Sequence, residues 1–92
     1  MIGSFADSDT ELLAAGGFVA QFQNIADAAA RRISQLEAAQ SLDELTIPKG
    51  NRLKRLKGSW QGYYSIRVND QWRIVFRWAE QQAWDVSLID YH

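Results

Sequence analysis

The chain ends in Asp90-Tyr91-His92, and five bases (Lys49, Arg52, Lys54, Arg55 and Lys57) fall within nine consecutive residues that hold no acid. Histidine titrates close to neutral pH, tyrosine can donate a proton or stack on a base, and arginine can neutralise a phosphorane. Together these types suit general acid–base cleavage of RNA through its own 2′-hydroxyl. Residue type alone leaves other readings open. A terminal histidine is more often a frayed chain end, Tyr91 serves equally well as the edge of a sheet, and a run of bases is commonly a solvated loop balancing an acidic segment. The single histidine, the absence of cysteine and the lack of a Gly-rich phosphate loop give no support to a metal- or nucleotide-dependent enzyme. No metal site and no cofactor are therefore expected.

The elements that must position these groups begin with one core. Ninety-two residues with 47% hydrophobic content suffice for a single domain over residues 1–92 and are too few for two. Without cysteine, packing alone must hold the chain together, which fits a reducing compartment. Asp7, Asp9 and Glu11 stand where a secretory signal needs bases and an apolar run. No uncharged segment approaches the ~20 residues of a membrane span. A cytoplasmic protein with no membrane partner is expected. The net charge of -1 hides a division. Residues 1–48 hold seven acids and two bases, whereas residues 49–92 hold eight bases and four acids. Such a local basic field attracts polyphosphate whatever the overall charge.

Met1 to Phe5 reads as a short strand, and Ser8 with Glu11 as a capping box that opens a short helix. Gly16 and Gly17 can take positive φ and stop it. Ile25, Ala29, Ile33 and Leu36 recur at helical spacing among alanines, so a second helix is expected from Ile25 to Gln40. Ser41 and Glu44 repeat the capping pattern over one turn. Around Pro48 and Gly50 the chain changes character.

From Tyr63 the period becomes two. Tyr64, Ile66 and Val68 alternate with polar neighbours, as do Trp72, Ile74, Phe76 and Trp78. A three-residue turn at Asn69, Asp70 and Gln71 sets Val68 against Trp72, Ile66 against Ile74 and Tyr64 against Phe76, whereas a two-residue turn sets Ile66 against Arg73. Continued into the last strand, this register places Trp78 opposite Trp84, Phe76 opposite Val86, Ile74 opposite Leu88 and Arg77 opposite Asp85. The expected fold class is α+β: a small antiparallel sheet with two N-terminal helices packed on one face. Trp72, Trp78 and Trp84 belong to the buried face in this register. Tyr63, Arg67, Arg73, Arg77, Asp85 and Tyr91 belong to the other.

Three blocks of the sequence, Gly50 to Gly58 (GNRLKRLKG), Gly62 to Trp78 (GYYSIRVNDQWRIVFRW) and Asp85 to His92 (DVSLIDYH), resemble in order and spacing the central and terminal blocks of HigB-type toxins within the RelE superfamily. The first half agrees in length, in its opening Met1 to Phe5 and in helical character. The resemblance implies a RelE-like fold and a ribosome-dependent endoribonuclease that cuts messenger RNA without a metal. It also implies a cognate HigA-type antitoxin with a helix-turn-helix domain. On the matched positions, Lys57, Arg67 and Arg73 would bind and stabilise the scissile phosphate. Asp90 and His92 would transfer or align a proton, and Tyr91 would contact the messenger base or the proton relay. Lys54, Arg55 and Arg52 would bind RNA or ribosome. Some relatives carry histidine where Lys54 stands, and lysine is a poor base unless nearby cations such as Arg55 and Lys57 weaken its hold on the proton. Trp60 would stack on RNA or cap the surface.

Two alternatives remain. ParE-like relatives with the same fold inhibit DNA gyrase and need no nuclease residues, so the terminal Asp90-Tyr91-His92 argues against that assignment. A non-catalytic RNA- or protein-binding module would use the same bases only to position phosphates, and its binding would survive loss of His92.

Overall fold

The computed structural model describes residues 1–91; the expectation for His92 lies outside the described residues. Helix α1 spans Ser8–Ala14 and α2 spans Ala26–Ala38, followed by strands β1 (Lys54–Arg55), β2 (Tyr63–Arg67), β3 (Trp72–Ala79) and β4 (Gln82–Asp90). The strands form one antiparallel sheet in the order β1-β2-β3-β4.

Local chemistry accounts for most boundaries. The N-cap of α1 is Asp7, whose carboxylate accepts from the Thr10 amide, so the cap falls one residue before the expected Ser8. Both types cap well, and Asp7 also accepts from the hydroxyls of Thr10 and Ser87, which fixes the choice through β4. The helix closes with Gly17 donating to Leu12 and Gly16, at φ 90°, donating to Leu13, the paired bonds of a glycine C-terminal cap. On α2 the expected apolar stripe of Ile25, Ala29, Ile33 and Leu36 is buried. It packs on Ile66, Ile74, Phe76, Val86 and Leu88 from one face of the sheet.

The β2–β3 register agrees with the three-residue turn. Ile66 pairs with Ile74 and Tyr64 with Phe76, while the Val68 amide donates to the Trp72 carbonyl at 2.9 Å. The Asn69 side chain accepts from the amides of Gln71 and Trp72, replacing ladder bonds that the turn loses. Ile74 also faces Leu88 as expected.

Beyond that point the β3–β4 register departs from expectation. A bulge between Val75 and Arg77 puts Trp84, not Asp85, opposite Arg77, and Ala83, not Trp84, opposite Trp78. Asp85 is the extra residue, with φ 52°. Because side chains alternate, one inserted residue exchanges the faces of those that precede it. Ala83 is therefore buried in the core, while Trp84 moves to the face that carries Arg77. The cause lies outside the hairpin. Met1–Phe5 runs parallel to β4, bridging Ile2 to Ala83 and Phe5 to Val86, and the Ser4 hydroxyl accepts from the Asp85 amide at 2.8 Å. The expected Arg77–Asp85 ion pair nonetheless forms, at 2.8 Å, reached from the bulge.

The basic segment also differs from a simple loop. Lys54 pairs with Ser65 and Arg55 with Tyr64, which adds the edge strand β1. Among the described residues no helix is long and apolar enough to cross a membrane.

Candidate active site

The face of the sheet away from the helices centres on Arg73. By register it lies between Arg67 on β2 and Ile89 on β4. It is only 8% exposed. Its Nε donates to the Ser65 hydroxyl at 2.8 Å and its Nη2 donates to the Arg52 carbonyl at 2.7 Å. The Tyr91 ring centre lies 5.9 Å from the guanidinium carbon. Tyr91 is held there by its amide, which donates to the Gln71 carbonyl at 2.8 Å.

Arg52 can offer that carbonyl because it adopts a left-handed conformation, φ 46° and ψ 55°, which non-glycine residues seldom take. Asn51 anchors the turn. Fully buried, it donates through Nδ2 to the Gln35 side chain at 2.9 Å and to the Leu45 carbonyl at 3.1 Å. Helix α2 also braces β2 at the same end, where Arg32 Nε donates to the Arg67 carbonyl at 3.0 Å.

Burial lowers the Arg73 pKa first; Tyr91 opposes that shift, and the cations Arg67 and Arg52 add to it. An arginine so placed still keeps its proton at any working pH. Arg67 pairs with the exposed Asp70, and among the described residues no carboxylate pairs with Arg73. The result is a fixed, largely desolvated positive charge whose position is set by a hydroxyl and a peptide carbonyl. Such a group can stabilise an anion, and most strongly one whose charge grows during reaction.

The other expected site residues divide by geometry. Lys54 is exposed and opposite Ser65, so it shares the face of Arg73 one row away. Arg55 projects to the opposite side, over the Tyr64 ring at 5.7 Å, and joins no group around Arg73. Lys57 lies past Leu56, whose amide donates to Tyr63. Tyr63 is four residues along β2 from Arg67, about 13 Å at the rise of a strand. Trp60 sits at that same far end, edge-on to Tyr63 with centroids 5.1 Å apart. Asp90 faces Trp72 in the register, and its Oδ2 accepts from Gln71 Nε2 at 3.0 Å.

Ser65, Asn51 and the Arg52 carbonyl were missed by sequence reasoning. Ser65 was accessible to it, because the β2–β3 register already made Ser65 and Arg73 diagonal neighbours on one face. The Arg52 carbonyl depends on a backbone turn with no sequence signature beyond Gly50 and Asn51. Among the described residues no group of three or more potential metal ligands gathers.

Comparison with known proteins bears on this arrangement. Residues 19–92 match the family described as RelE-like toxin of type II toxin-antitoxin system HigB. "Toxin HigB-1" of Vibrio cholerae is 42% identical over 65 residues, covering 71% of this chain and 68% of that protein. "Endoribonuclease HigB" of Proteus vulgaris is 34% identical over 61 residues, covering 66% of this chain and 65% of that protein, so the aligned part is about two thirds of each relative. The fold is also that of a chain in the YoeB-YefM complex from Staphylococcus aureus, with TM-score 0.62 and 19% identity over 100% of this chain and 98% of the other. The two helices, the four-stranded sheet and the match over residues 19–92 place the chain in the HigB family of RelE-like toxins of type II toxin–antitoxin systems.

Proposed function

We propose that this chain is an endoribonuclease that cuts messenger RNA in the decoding site of the ribosome, in the cytoplasm, with attack by the RNA's own 2′-hydroxyl. One observation carries the reading: the buried Arg73 guanidinium is fixed by Ser65 and Arg52, stands beside Arg67, and meets Tyr91 from the chain's last residues. A Proteus vulgaris relative bears the name endoribonuclease. Arg73 would hold the scissile phosphate and stabilise the charge that grows on it, with Arg67 and Lys54 drawing the RNA backbone in. Tyr91 would contact the messenger base or relay a proton. Asp90 and His92 would align or transfer protons between the 2′-hydroxyl and the leaving 5′-oxygen. Arg52 would contact the RNA backbone beside Arg73, whereas Lys57, expected at the scissile phosphate but following Leu56 at the Tyr63 end of the sheet, would with Arg55 and Trp60 contact RNA or ribosome farther from it.

The same reading supplies a partner. A structural neighbour is described as a heterotetrameric toxin–antitoxin complex, and this chain would likewise be silenced by a cognate antitoxin of the HigA type, bearing a helix-turn-helix domain.

Primer extension on a messenger RNA with purified ribosomes tests the proposal. New 5′ ends that need both ribosome and protein, and that vanish in Arg73→Ala and in a chain lacking His92, are expected. An intact messenger under those conditions, with gyrase inhibited instead, would overturn it.

A further inference from the structure

A second row crosses the same face at its other end. Trp84 on β4 is the register partner of Arg77 on β3, and Arg77 is the partner of Tyr63 on β2. The Trp60 ring meets Tyr63 edge-on at 5.1 Å. The order across the sheet is thus Trp84, Arg77, Tyr63, Trp60: three half-buried aromatic rings with one arginine among them. Trp84 and Arg77, with Ala79 and Glu80, line a shallow hollow of about 230 Å³. Trp84 stands outside the main core cluster and reaches this face only because of the Asp85 bulge.

We propose that this row is a binding subsite for single-stranded RNA, in which unpaired bases stack on Trp84, Tyr63 and Trp60 while Arg77 contacts the backbone between them. The inference rests on the nuclease reading, and extends it to residues outside the cluster around Arg73. Several features favour RNA over a protein partner. Arg73 and Arg67 stand four residues from Arg77 and Tyr63 on their strands, so the two rows run about 13 Å apart and one strand of RNA could lie across both. The face also carries Lys54 and Arg67, and seven of the eleven acids lie in residues 1–48, with Asp85 and Glu80 the acids at the row itself. Asp85 accepts from Arg77 Nε at 2.8 Å and Tyr63 also bonds to the Arg77 side chain, so the arginine is fixed within the row. Aromatic rings on an open antiparallel sheet accept about two or three bases in other RNA-binding sheets, and stacking is tolerant of sequence because every base has a π-face.

The probe is a single-stranded oligonucleotide of about ten residues, 2′-O-methylated so that it cannot be cut, with binding to the full chain read by fluorescence anisotropy. Trp60→Ala should weaken binding roughly five- to a hundredfold and leave the salt dependence unchanged. Arg77→Gln should weaken binding and reduce the slope of log affinity against log salt by less than one, because Asp85 already offsets the Arg77 charge. Trp84 also packs over Gly3, so Trp84→Phe, which keeps a stacking ring, is compared with Trp84→Leu, which does not. The first should bind within a few-fold of wild type and the second should not. Photocrosslinks from 4-thiouridine should map to Trp60, Tyr63 or Trp84.

Wild-type affinity in folded Trp60→Ala and Trp84→Leu, or crosslinks confined to α1 and α2, would overturn the subsite. So would variants that lose antitoxin and keep the oligonucleotide. Ribosomal cleavage separates the two proposals. If wild type cuts messenger RNA and the row variants bind and cut as it does, only the subsite fails. If wild type binds the oligonucleotide through the row and cuts nothing on ribosomes, only the nuclease reading fails.

Discussion

Arg73 donates from Nη2 to the main-chain carbonyl of Arg52 at 2.7 Å, and Arg52 presents that carbonyl by taking a left-handed backbone conformation. A carboxylate in the same place would hold the guanidinium as firmly but would cancel its charge. A peptide carbonyl and a serine hydroxyl orient it and leave the charge for a ligand. The arrangement gives Arg52 two separable properties, a backbone geometry and an exposed side-chain cation.

Arg52→Gly separates them. Glycine takes φ 46° without the clash an L side chain suffers, so the carbonyl should stay on Arg73. Stability in urea should be unchanged or raised by about 1 kcal/mol, since relief of a left-handed clash of about 1–2 kcal/mol is partly offset by the extra chain entropy of glycine. RNA affinity should fall, with a salt slope smaller by about one. A large loss of stability would show that the Arg52 side chain, and not its backbone, holds the turn.

Arg73→Lys should fail where charge alone would succeed. Lysine carries the positive charge but cannot reproduce a planar fork that reaches Ser65 and Arg52 from two nitrogens. The maximal cleavage rate should drop about 10²–10³-fold, with ribosome association changed far less. Equal losses in association and rate, measured by sedimentation and primer extension, would reassign Arg73 to binding.

Local patterns carried much of this fold. The α2 stripe, the Gly16–Gly17 stop and the Asn69–Gln71 turn follow from side-chain periods and backbone preferences acting over a few residues. Trp84 was misplaced because its face depends on Ser4 meeting Asp85, 81 residues apart in sequence. The strand at Lys54 and Arg55 has no signature in two basic residues, and only pairing with β2 makes them one. At the site, the faces of Arg67, Arg73 and Tyr91 were legible from alternation. The groups that fix Arg73 were not, since a carbonyl has no residue type to read.

Asn51→Ala tests how deeply the site is built into the helical half. The wild-type amide donates to Gln35 on α2 and to Leu45, and alanine leaves the buried Leu45 carbonyl and the half-buried Gln35 side chain without it. A loss of about 1–3 kcal/mol in urea denaturation is expected. Cleavage should also fall at temperatures where the variant remains folded, because the Arg52 turn is then unanchored. Full activity in the folded variant would mean that Arg52 holds its conformation without this anchor.

Gly3→Ala should destabilise the fold through Trp84. A Cβ at Gly3 would lie 2.6 Å from Cζ3 of the Trp84 ring. Neither side can easily yield, because the Trp84 indole donates to the Ala79 carbonyl at 2.9 Å and the Gly3 amide donates to Ala83 at 2.7 Å. Overpacking of this kind costs about 1–3 kcal/mol, which in a chain this size lowers Tm by about 4–24 °C. Gly50→Ala is the control, since a Cβ there meets nothing within 4 Å. It should leave Tm unchanged or raise it slightly. If the two variants melt together, Trp84 is free to move off the N-terminal segment, and the bulge does not depend on the packing of its ring.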